Sequence, residues 1–264
     1  MDLGLKAKRV FISGSTAGIG FGIAQVFLNE GADVCINGRS EESVEKAKAQ
    51  LLEQFPNGKV SVYTCDYRNE EEIDQLLNEL PDIDILINNV GTYTSKSFYN
   101  TSDQDWHDQF NVNVMSGVRM ARKVLPAMLE RNWGRILFIS SECASLVPSD
   151  LIAYSATKAA IQAVSRGLAQ LTKGSQVTVN TVLPGSTMTE GAAKFLADLA
   201  DKENKTVEEA ERDFFKDIRT SSLMQRFATV EEIANSVVYY ASPLAAATNG
   251  AAIKLEGGST GGIF

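Results

Sequence analysis

Short apolar runs alternate with segments of helical spacing along almost the whole chain. The runs are rich in Val and Ile, as strands buried on both faces of a sheet are. They are RVFIS (9–13), DVCIN (33–37), VSVYT (60–64), DILIN (84–88), RILFIS (135–140), VTVNTVL (177–183) and AAIKL (251–255). Between them, segments such as FGIAQVFLNEG and VEEIANSVVYYAS have the spacing of amphipathic helices. The alternation predicts an α/β fold, a doubly wound parallel sheet with helices on both faces, in one domain over residues 1–264.

One segment, residues 187–228, breaks this alternation, because it contains no clear strand. It is charged, and its apolar positions predict two amphipathic helices. An insertion at the carboxyl end of a strand lies where open parallel sheets bind their ligands. We therefore expect a helical lid over a substrate site; a decorative element or an oligomer contact is the alternative.

Composition restricts the partners of the chain. Its 264 residues carry a net charge of −8, which argues against nucleic acid and against an anionic membrane surface. The chain has three cysteines, Cys35, Cys65 and Cys143. Their odd number and the absence of CxxC spacing argue against a disulfide framework. No signal peptide and no apolar run of about 20 residues is visible, and we expect a cytoplasmic protein. His107 is the only histidine, so neither a histidine triad nor a multi-histidine metal centre is expected, and we predict no metal.

The first predicted strand runs into a glycine-rich turn, GSTAGIG, before a helix begins. Glycine allows a tight turn, and the N–H groups at a helix N-terminus can hold a phosphate. The spacing is GxxxGxG rather than the common GxGxxG. On its own the turn fits either dinucleotide binding or a simple tight connection.

The end of the second strand bears on the choice of dinucleotide. An acidic residue there binds the ribose hydroxyls of NAD, whereas an arginine favours the 2′-phosphate of NADP. The strand ends INGRS, with no acid at Asn37 or Gly38 and with Arg39 next. We therefore favour NADP(H) and keep NAD(H) as the alternative; Arg39 could also be a solvated surface residue.

Tyr154 and Lys158 lie four residues apart in a predicted helix, LIAYSATKAAIQAVSRGLAQL. Residues at this spacing share one face, so both can reach the same ligand. The pair can serve either packing or acid–base chemistry, and this stretch alone does not decide between them.

Several motifs in order resemble those of the short-chain dehydrogenases/reductases over nearly the whole chain. They are SGSTAGIG (13–20), CDY (65–67), NNVG (88–91), Asn113, ISS (139–141), Tyr154-x-x-x-Lys158 and PGSTMT (184–189). The resemblance implies a Rossmann-type seven-stranded parallel sheet and a homotetramer or homodimer. It also implies hydride transfer between a nicotinamide cofactor and a small-molecule carbonyl or alcohol substrate.

The same resemblance implies which residues hold the cofactor. Those around the pyrophosphate and the adjacent ribose would be Gly14, Ser15, Thr16, Gly18, Ile19 and Gly20. Asp66 would accept a hydrogen bond from the adenine amino group, with Tyr67 beside it. Asn89 and Gly91 would lie at the adenosine ribose. On the nicotinamide side the residues would be Pro184, Gly185, Thr187 and Thr189.

The catalytic residues implied by the resemblance are Asn113, Ser141, Tyr154 and Lys158. Tyr154 would exchange a proton with the substrate oxygen. A nearby ammonium, that of Lys158, is expected to lower the tyrosine pKa. Ser141 would hydrogen-bond the same oxygen, and we choose it over Ser140 because it precedes Tyr154 by thirteen residues. Lys158 would also hold the nicotinamide ribose, and Asn113 would bind a water that links Lys158 to solvent.

The substrate pocket is expected to be partly apolar. We expect its walls in the segments 92–98, 142–152 and 187–220 and in the C-terminal GGSTGGIF, with side chains from Tyr93, Leu146, Leu151, Met188 and Phe195. Glu142 is an unusual neighbour of Ser141: it could bind a polar or cationic substrate group, or hold a neighbouring loop.

Other functions stay open at this point. They are an NAD(H)-dependent alcohol dehydrogenase, a non-catalytic dinucleotide-binding regulator, and an isomerase or dehydratase on the same fold. The full set of four catalytic residues argues against the regulator, and the chain length and glycine spacing argue against the isomerase.

Overall fold

The computed structural model describes residues 1–262, and its centre is a seven-stranded parallel sheet in the order β3-β2-β1-β4-β5-β6-β9. The strands of this sheet are β1 (Arg9–Ile12), β2 (Asp33–Gly38), β3 (Lys59–Thr64), β4 (Ile85–Asn88), β5 (Gly134–Ile139), β6 (Val177–Pro184) and β9 (Ala252–Leu255). Each of the seven apolar runs forms one strand, and the predicted α/β fold is confirmed.

Helices connect the strands and cover both faces of the sheet. They are α1 (Gly18–Asn29), α2 (Glu41–Gln54), α3 (Glu70–Glu79), α4 (Asp103–Phe110), α5 (Ser116–Glu130), α6 (Cys143–Leu146), α7 (Ile152–Leu171) and α10 (Val230–Tyr240). Two hydrophobic cores, one on each face, bury most of the large apolar side chains. Within residues 1–262 no helix has the length and hydropathy that a membrane crossing requires.

Local sequence signals place several helix ends. Ser40 caps α2 by accepting a hydrogen bond from the Ser43 N–H, as its position before the helix predicts. α1 ends at Asn29, and Gly31 follows with φ +76°, a conformation that suits glycine. The strand order reverses between β1 and β4, so the connections that leave their carboxyl ends run in opposite directions and leave a crevice for a ligand.

The insertion is helical, as predicted, and also contains two short strands that the sequence does not reveal. α8 (Glu190–Glu203) and α9 (Val207–Asp213) pack around a small core built mainly from Leu196, Ala200, Ala210, Phe214, Phe215 and Phe227. β7 (Thr187–Met188) pairs in parallel with β8 (Ala228–Thr229) and brings the two ends of the insertion together. Strands of two residues are too short to show an apolar pattern. Ile263 and Phe264, the end of the C-terminal segment expected at the pocket, lie outside the described residues.

Candidate active site

The glycine-rich turn after β1 is held in a conformation that needs glycine. Gly14 and Gly18 have φ of +60° and +55°. A Cβ on Gly20 would lie 2.4 Å from the carbonyl oxygen of Gly14, closer than any side chain tolerates. The carbonyl of Gly14 also accepts a 2.8 Å hydrogen bond from Asn89 Nδ2. The turn is therefore tight and is fixed to the end of β4.

Ser13 completes this attachment with its hydroxyl group. Its Oγ accepts from the backbone N–H groups of Asn89 and Val90, at 2.9 and 3.0 Å. Ser15, by contrast, is fully buried, donates to the Ile12 carbonyl and accepts from the Asn37 N–H. The Ser15 N–H also donates to the Asn37 carbonyl, at 2.8 Å. Ser15 therefore holds the turn to the sheet through both its side chain and its backbone.

A cavity of about 580 Å³ opens beside this turn at the carboxyl ends of the strands. Seven residues predicted to bind the cofactor line it: Gly14, Thr16, Arg39, Asp66, Tyr67, Asn89 and Gly91. A dinucleotide needs a bare backbone at its pyrophosphate and polar groups at its adenosine, and this lining has both. The residues present therefore fit a dinucleotide whose adenosine end lies in this cavity.

Asp66, which was expected to bind adenine, has a protein partner in this structure. Both of its carboxylate oxygens accept from Arg68 Nε, at 3.0 and 3.1 Å. The hydrogen bonds from Arg68 are the main reason that the Asp66 pKa lies below its ordinary value, and the charge of Arg39 acts in the same direction. The negative charge of Asp66 is thus offset within the cavity by Arg68 and Arg39.

The residues predicted for the nicotinamide side lie where β6 ends. Pro184 is the last residue of β6, and Gly185 donates its N–H to the Leu255 carbonyl. A Cβ on Gly185 would lie 2.7 Å from Cα of Glu256, so the strand end admits only glycine here. Thr187 Oγ1 donates to the Gly185 carbonyl at 2.9 Å.

The first turn of α8 lies against the first turn of α1. Thr189 caps α8, and its methyl carbon is 3.4 Å from the position of a Cβ on Gly18. The next residue, Glu190, accepts a hydrogen bond from the Gly18 N–H through Oε2, at 3.1 Å. The insertion therefore reaches the glycine-rich turn with a carboxylate. Ile19, which follows Gly18, is half-buried in the same turn.

Ser141, Tyr154 and Lys158 come together between β5 and α7. A hydrogen bond joins the side chains of Ser141 and Tyr154. Lys158 Nζ lies 5.6 Å from the centre of the Tyr154 ring and donates to the Ile139 carbonyl at 2.8 Å. The Ser140 hydroxyl donates to the backbone carbonyl of Lys158 and is buried, so it holds α7 to β5.

Burial controls the ionisation of this group. It raises the pKa of Tyr154, while the hydrogen bond from Ser141 acts in the opposite direction. Burial also lowers the pKa of Lys158 to about 8. The lower tyrosine pKa expected from the nearby ammonium is therefore wrong for the protein alone, because desolvation disfavours the charged form of both groups. Tyr154 carries its proton at neutral pH.

Asn113 lies in a π-helical turn, Asn111–Met115, that interrupts the long helix expected from the sequence. Its Oδ1 accepts from the Thr92 N–H at 2.7 Å, and its Nδ2 donates to the Thr92 carbonyl and to Thr157 Oγ1. These contacts use both N–H donors of the amide and one of the two lone pairs of Oδ1. The expected water bridge stays a prediction, in which the water would donate to Oδ1. Gly91 follows β4 here, where a Cβ would lie 3.3 Å from Lys158 Nζ.

Glu142 connects the segment that follows β5 to the insertion. Its side chain is buried, and Oε1 accepts from Arg219 Nε at 3.0 Å and from Ser186 Oγ at 3.3 Å. Oε2 is also buried and has no hydrogen-bond partner among residues 1–262. Of the two roles expected for Glu142, these contacts favour the attachment of a neighbouring segment.

The other residues expected at the substrate are spread around this site. Tyr93 is exposed, and its ring centre is 5.8 Å from that of Tyr154. Leu146 ends α6 and Leu151 precedes α7. Met188 packs on the core of the insertion, and the half-exposed ring of Phe195 contacts Phe214. Of this set, Tyr93 packs against the Tyr154 ring, and the charge of Glu142 acts to raise the Tyr154 pKa.

Two segments expected to form the pocket are hydrogen-bonded to each other. The Lys96 N–H donates to the Asp150 carbonyl at 3.0 Å, and Ser95 Oγ donates to the Asp150 carboxylate at 2.7 Å. The insertion is joined to the C-terminal segment in a similar way, because the N–H groups of Leu223 and Met224 both donate to the Gly257 carbonyl. Segment 92–98 is therefore in contact with segment 142–152, and the insertion is in contact with the C-terminal segment.

Three residues of the site have no signal in the sequence. Arg68 is an exposed cation next to a strand end, a common surface pattern. Arg219 is separated from Glu142 by 77 residues, and Glu190 from Gly18 by 172. Contacts over such distances leave no local pattern in the sequence.

Known proteins resemble this chain over its whole length. A family model described as short chain dehydrogenase matches residues 8–200. YvaG and YvrD of Bacillus subtilis, both named uncharacterized oxidoreductases, are 42% and 45% identical to it, over 100% and 98% of both chains. The crystal structure of L-sorbose reductase from Gluconobacter frateurii, complexed with NADPH and L-sorbose, covers 100% of both chains with a TM-score of 0.92 and 29% identity. With the motifs and the sheet order, these matches show that the chain belongs to the short-chain dehydrogenase family of oxidoreductases.

Proposed function

We propose that this protein is an NADP(H)-dependent reductase of carbonyl compounds, with Tyr154 as the proton donor. The observation that carries the proposal is the half-buried Tyr154, whose pKa is raised and whose hydroxyl group is hydrogen-bonded to Ser141. A group that keeps its proton at neutral pH suits the direction in which a carbonyl oxygen must be protonated.

The bound nicotinamide supplies the hydride for this reaction. The residues of this chain orient the substrate carbonyl and supply the proton. Ser141 donates a hydrogen bond to the carbonyl oxygen and stabilises the charge that develops there. Tyr154 then gives its proton to the same oxygen and becomes a phenolate. Lys158, fixed by the Ile139 carbonyl, stabilises that phenolate by its charge until a solvent proton replaces the one transferred.

The preference for NADP(H) is supported by charge at the adenosine cavity. Arg39 lines the cavity directly after β2, and Asp66, whose pKa its charge lowers, is paired with Arg68. A 2′-phosphate would therefore meet the Arg39 guanidinium beside an acid whose charge Arg68 offsets. The reductase from Gluconobacter frateurii, which resembles this chain in fold, is complexed with NADPH.

The substrate belongs to the carbonyl compounds, and L-sorbose is the first compound to test, because that related structure holds it. The partly apolar surroundings, with the exposed ring of Tyr93 beside Tyr154, are also compatible with a larger ketone.

We further propose a cytoplasmic homo-oligomer, a homotetramer or a homodimer, in which the helices of residues 103–131 and 153–171 form one interface. Light scattering of the purified protein would give its mass directly.

The cofactor is tested by titrating the protein with NADPH and with NADH and following the fluorescence of the bound nicotinamide. We expect tighter binding of NADPH, with a selective loss in Arg39→Ala. Lys46→Ala is the matched control, because it removes one exposed positive charge from the neighbouring helix α2. A preference for NADH would favour the alternative, an NAD(H)-dependent alcohol dehydrogenase. Failure to bind either cofactor would refute the proposed function.

The role of Tyr154 is tested with Tyr154→Phe. We expect turnover of any carbonyl substrate to fall by a factor of about 10²–10⁴ while NADPH still binds, since the hydroxyl group acts in the proton transfer. Turnover within a factor of about two of wild type would exclude Tyr154 as the proton donor.

A further inference from the structure

The contact between Glu190 and Gly18 places a carboxylate at the N-terminus of α1. Oε2 of Glu190 accepts the Gly18 N–H at 3.1 Å. The other potential caps of this helix are missing: Ala17, the N-cap residue, makes no side-chain hydrogen bond, and the first turn contains no acidic residue. The insertion therefore supplies the negative group that the start of α1 lacks.

This N-terminus is also where the proposed function places the cofactor pyrophosphate. Free N–H groups and the positive end of the helix dipole attract an anion, and one such N–H now donates to Glu190. A phosphate and a carboxylate can each accept the hydrogen bond that the Gly18 N–H donates. They carry the same charge, so they also repel each other when both are near.

We propose that Glu190 limits the affinity for the cofactor by competing with the pyrophosphate for the start of α1. The inference rests on the proposed function, because it needs a dinucleotide at this turn. Glu190 is the first residue of α8, so displacing its carboxylate releases the contact between the insertion and the glycine-rich turn. Thr189 remains close to Gly18 through its methyl group and keeps the start of α8 nearby.

Two properties of the site support competition over a purely structural role. Glu190 is exposed, so its carboxylate can leave Gly18 without being buried elsewhere. α8 keeps its own cap in the absence of this contact, since the Thr189 side chain accepts from the Ala192 N–H. Removing the carboxylate should therefore leave the helix intact.

The experiment compares NADPH binding by wild type, Glu190→Gln and Asp198→Asn. Asp198 is an exposed acid of the same helix, so its variant loses the same charge from the same element away from Gly18. We expect Glu190→Gln to bind NADPH about twofold to fivefold more tightly, the range that one exposed charge at a helix N-terminus produces. Asp198→Asn should match wild type, and added salt should reduce the gain.

A second probe, adenosine 2′-phosphate, separates this effect from a general change in charge. It fills the adenosine cavity but has no group that reaches Gly18. We expect its affinity, measured by displacement of NADPH, to be the same in wild type and Glu190→Gln. Unchanged or weaker NADPH binding in Glu190→Gln, with wild type still binding NADPH, would overturn the competition and leave the proposed function standing. Failure of all variants to bind NADPH or NADH would overturn both.

Discussion

Replacing Arg219 with Met would remove the partner of a buried carboxylate. Glu142 is 3% exposed, and its Oε1 would keep only the 3.3 Å hydrogen bond from Ser186. The Arg219 side chain is 16% exposed, so little water reaches the pair as it stands. Met has a similar length and fills much of the same space. The main change is therefore an unpaired charge in the interior.

The cost has an upper limit, because the carboxylate can take up a proton. Protonating a carboxyl group of ordinary acidity, with a pKa near 4.3, costs about 4 kcal/mol at pH 7.5 and about 1 kcal/mol at pH 5. Breaking a buried ion pair typically costs about 3–5 kcal/mol. We expect a loss of about 3 kcal/mol at pH 7.5 that shrinks to about 1 kcal/mol at pH 5.

The sign of the pH dependence follows from proton counting. In the Arg219→Met variant the folded protein binds a proton at the buried carboxyl group, whereas the unfolded chain has already released that proton at the same pH. The folded state of the variant therefore loses stability relative to wild type as the pH rises. For a chain of this size, the melting temperature should fall by about 6–12 °C at pH 7.5 and by about 2–4 °C at pH 5.

Thermal unfolding at both pH values tests this reasoning, with two further variants. Arg212→Met removes an exposed arginine of the same insertion and should change the melting temperature by less than about 2 °C. Glu142→Gln combined with Arg219→Met removes both charges and should recover most of the loss. Equal losses in Arg219→Met at the two pH values, or a loss no larger than in Arg212→Met, would refute the unpaired-charge argument.

Four further expectations follow from burial and from local packing. Burial lowers the pKa of Lys158 from 10.5 to about 8, so between these pH values the unfolded chain binds more protons than the folded protein. The stability of wild type relative to Lys158→Met should therefore increase as the pH rises through this range, as measured by thermal unfolding of the cofactor-free protein. Gly20→Ala should lower the melting temperature and abolish NADPH binding in a fluorescence titration. Gly167→Ala, with no atom within 4 Å of its Cβ, should stabilise α7 by about 0.5–1 kcal/mol. Burial raises the pKa of Cys35 to about 11 and of Cys65 to about 12, so a thiol reagent should react slowly with the native protein and completely in denaturant.

The sequence predicts the sheet well because its strands are buried on both faces. Such strands read as continuous apolar runs, and β5, for example, is buried at every position. The π-helical turn at Asn113 could not be predicted, because the residues NVNVM fit the apolar spacing of an ordinary helix. The strands β7 and β8 are too short to leave a pattern.

The site could be located from the sequence, but its internal bonds could not. Motif order placed Ser141, Tyr154 and Lys158 together, and the fold brings them into one group. The raised pKa of Tyr154 depends on burial by the surrounding chain, which no motif encodes. The partners of Glu142 and Glu190 lie in distant parts of the chain, so only the fold reveals them.

The two ends of the insertion are paired as strands, and this pairing indicates how such a protein can change its substrate over evolutionary time. β7 and β8 hold the entry and exit of the segment side by side, and a separate core stabilises what lies between them. A replacement segment of different length or shape would need only to preserve that junction. The sheet, the glycine-rich turn and the proposed proton donor would then be inherited unchanged. Under the proposed function, new specificity can therefore arise in this segment without any change to the catalytic residues.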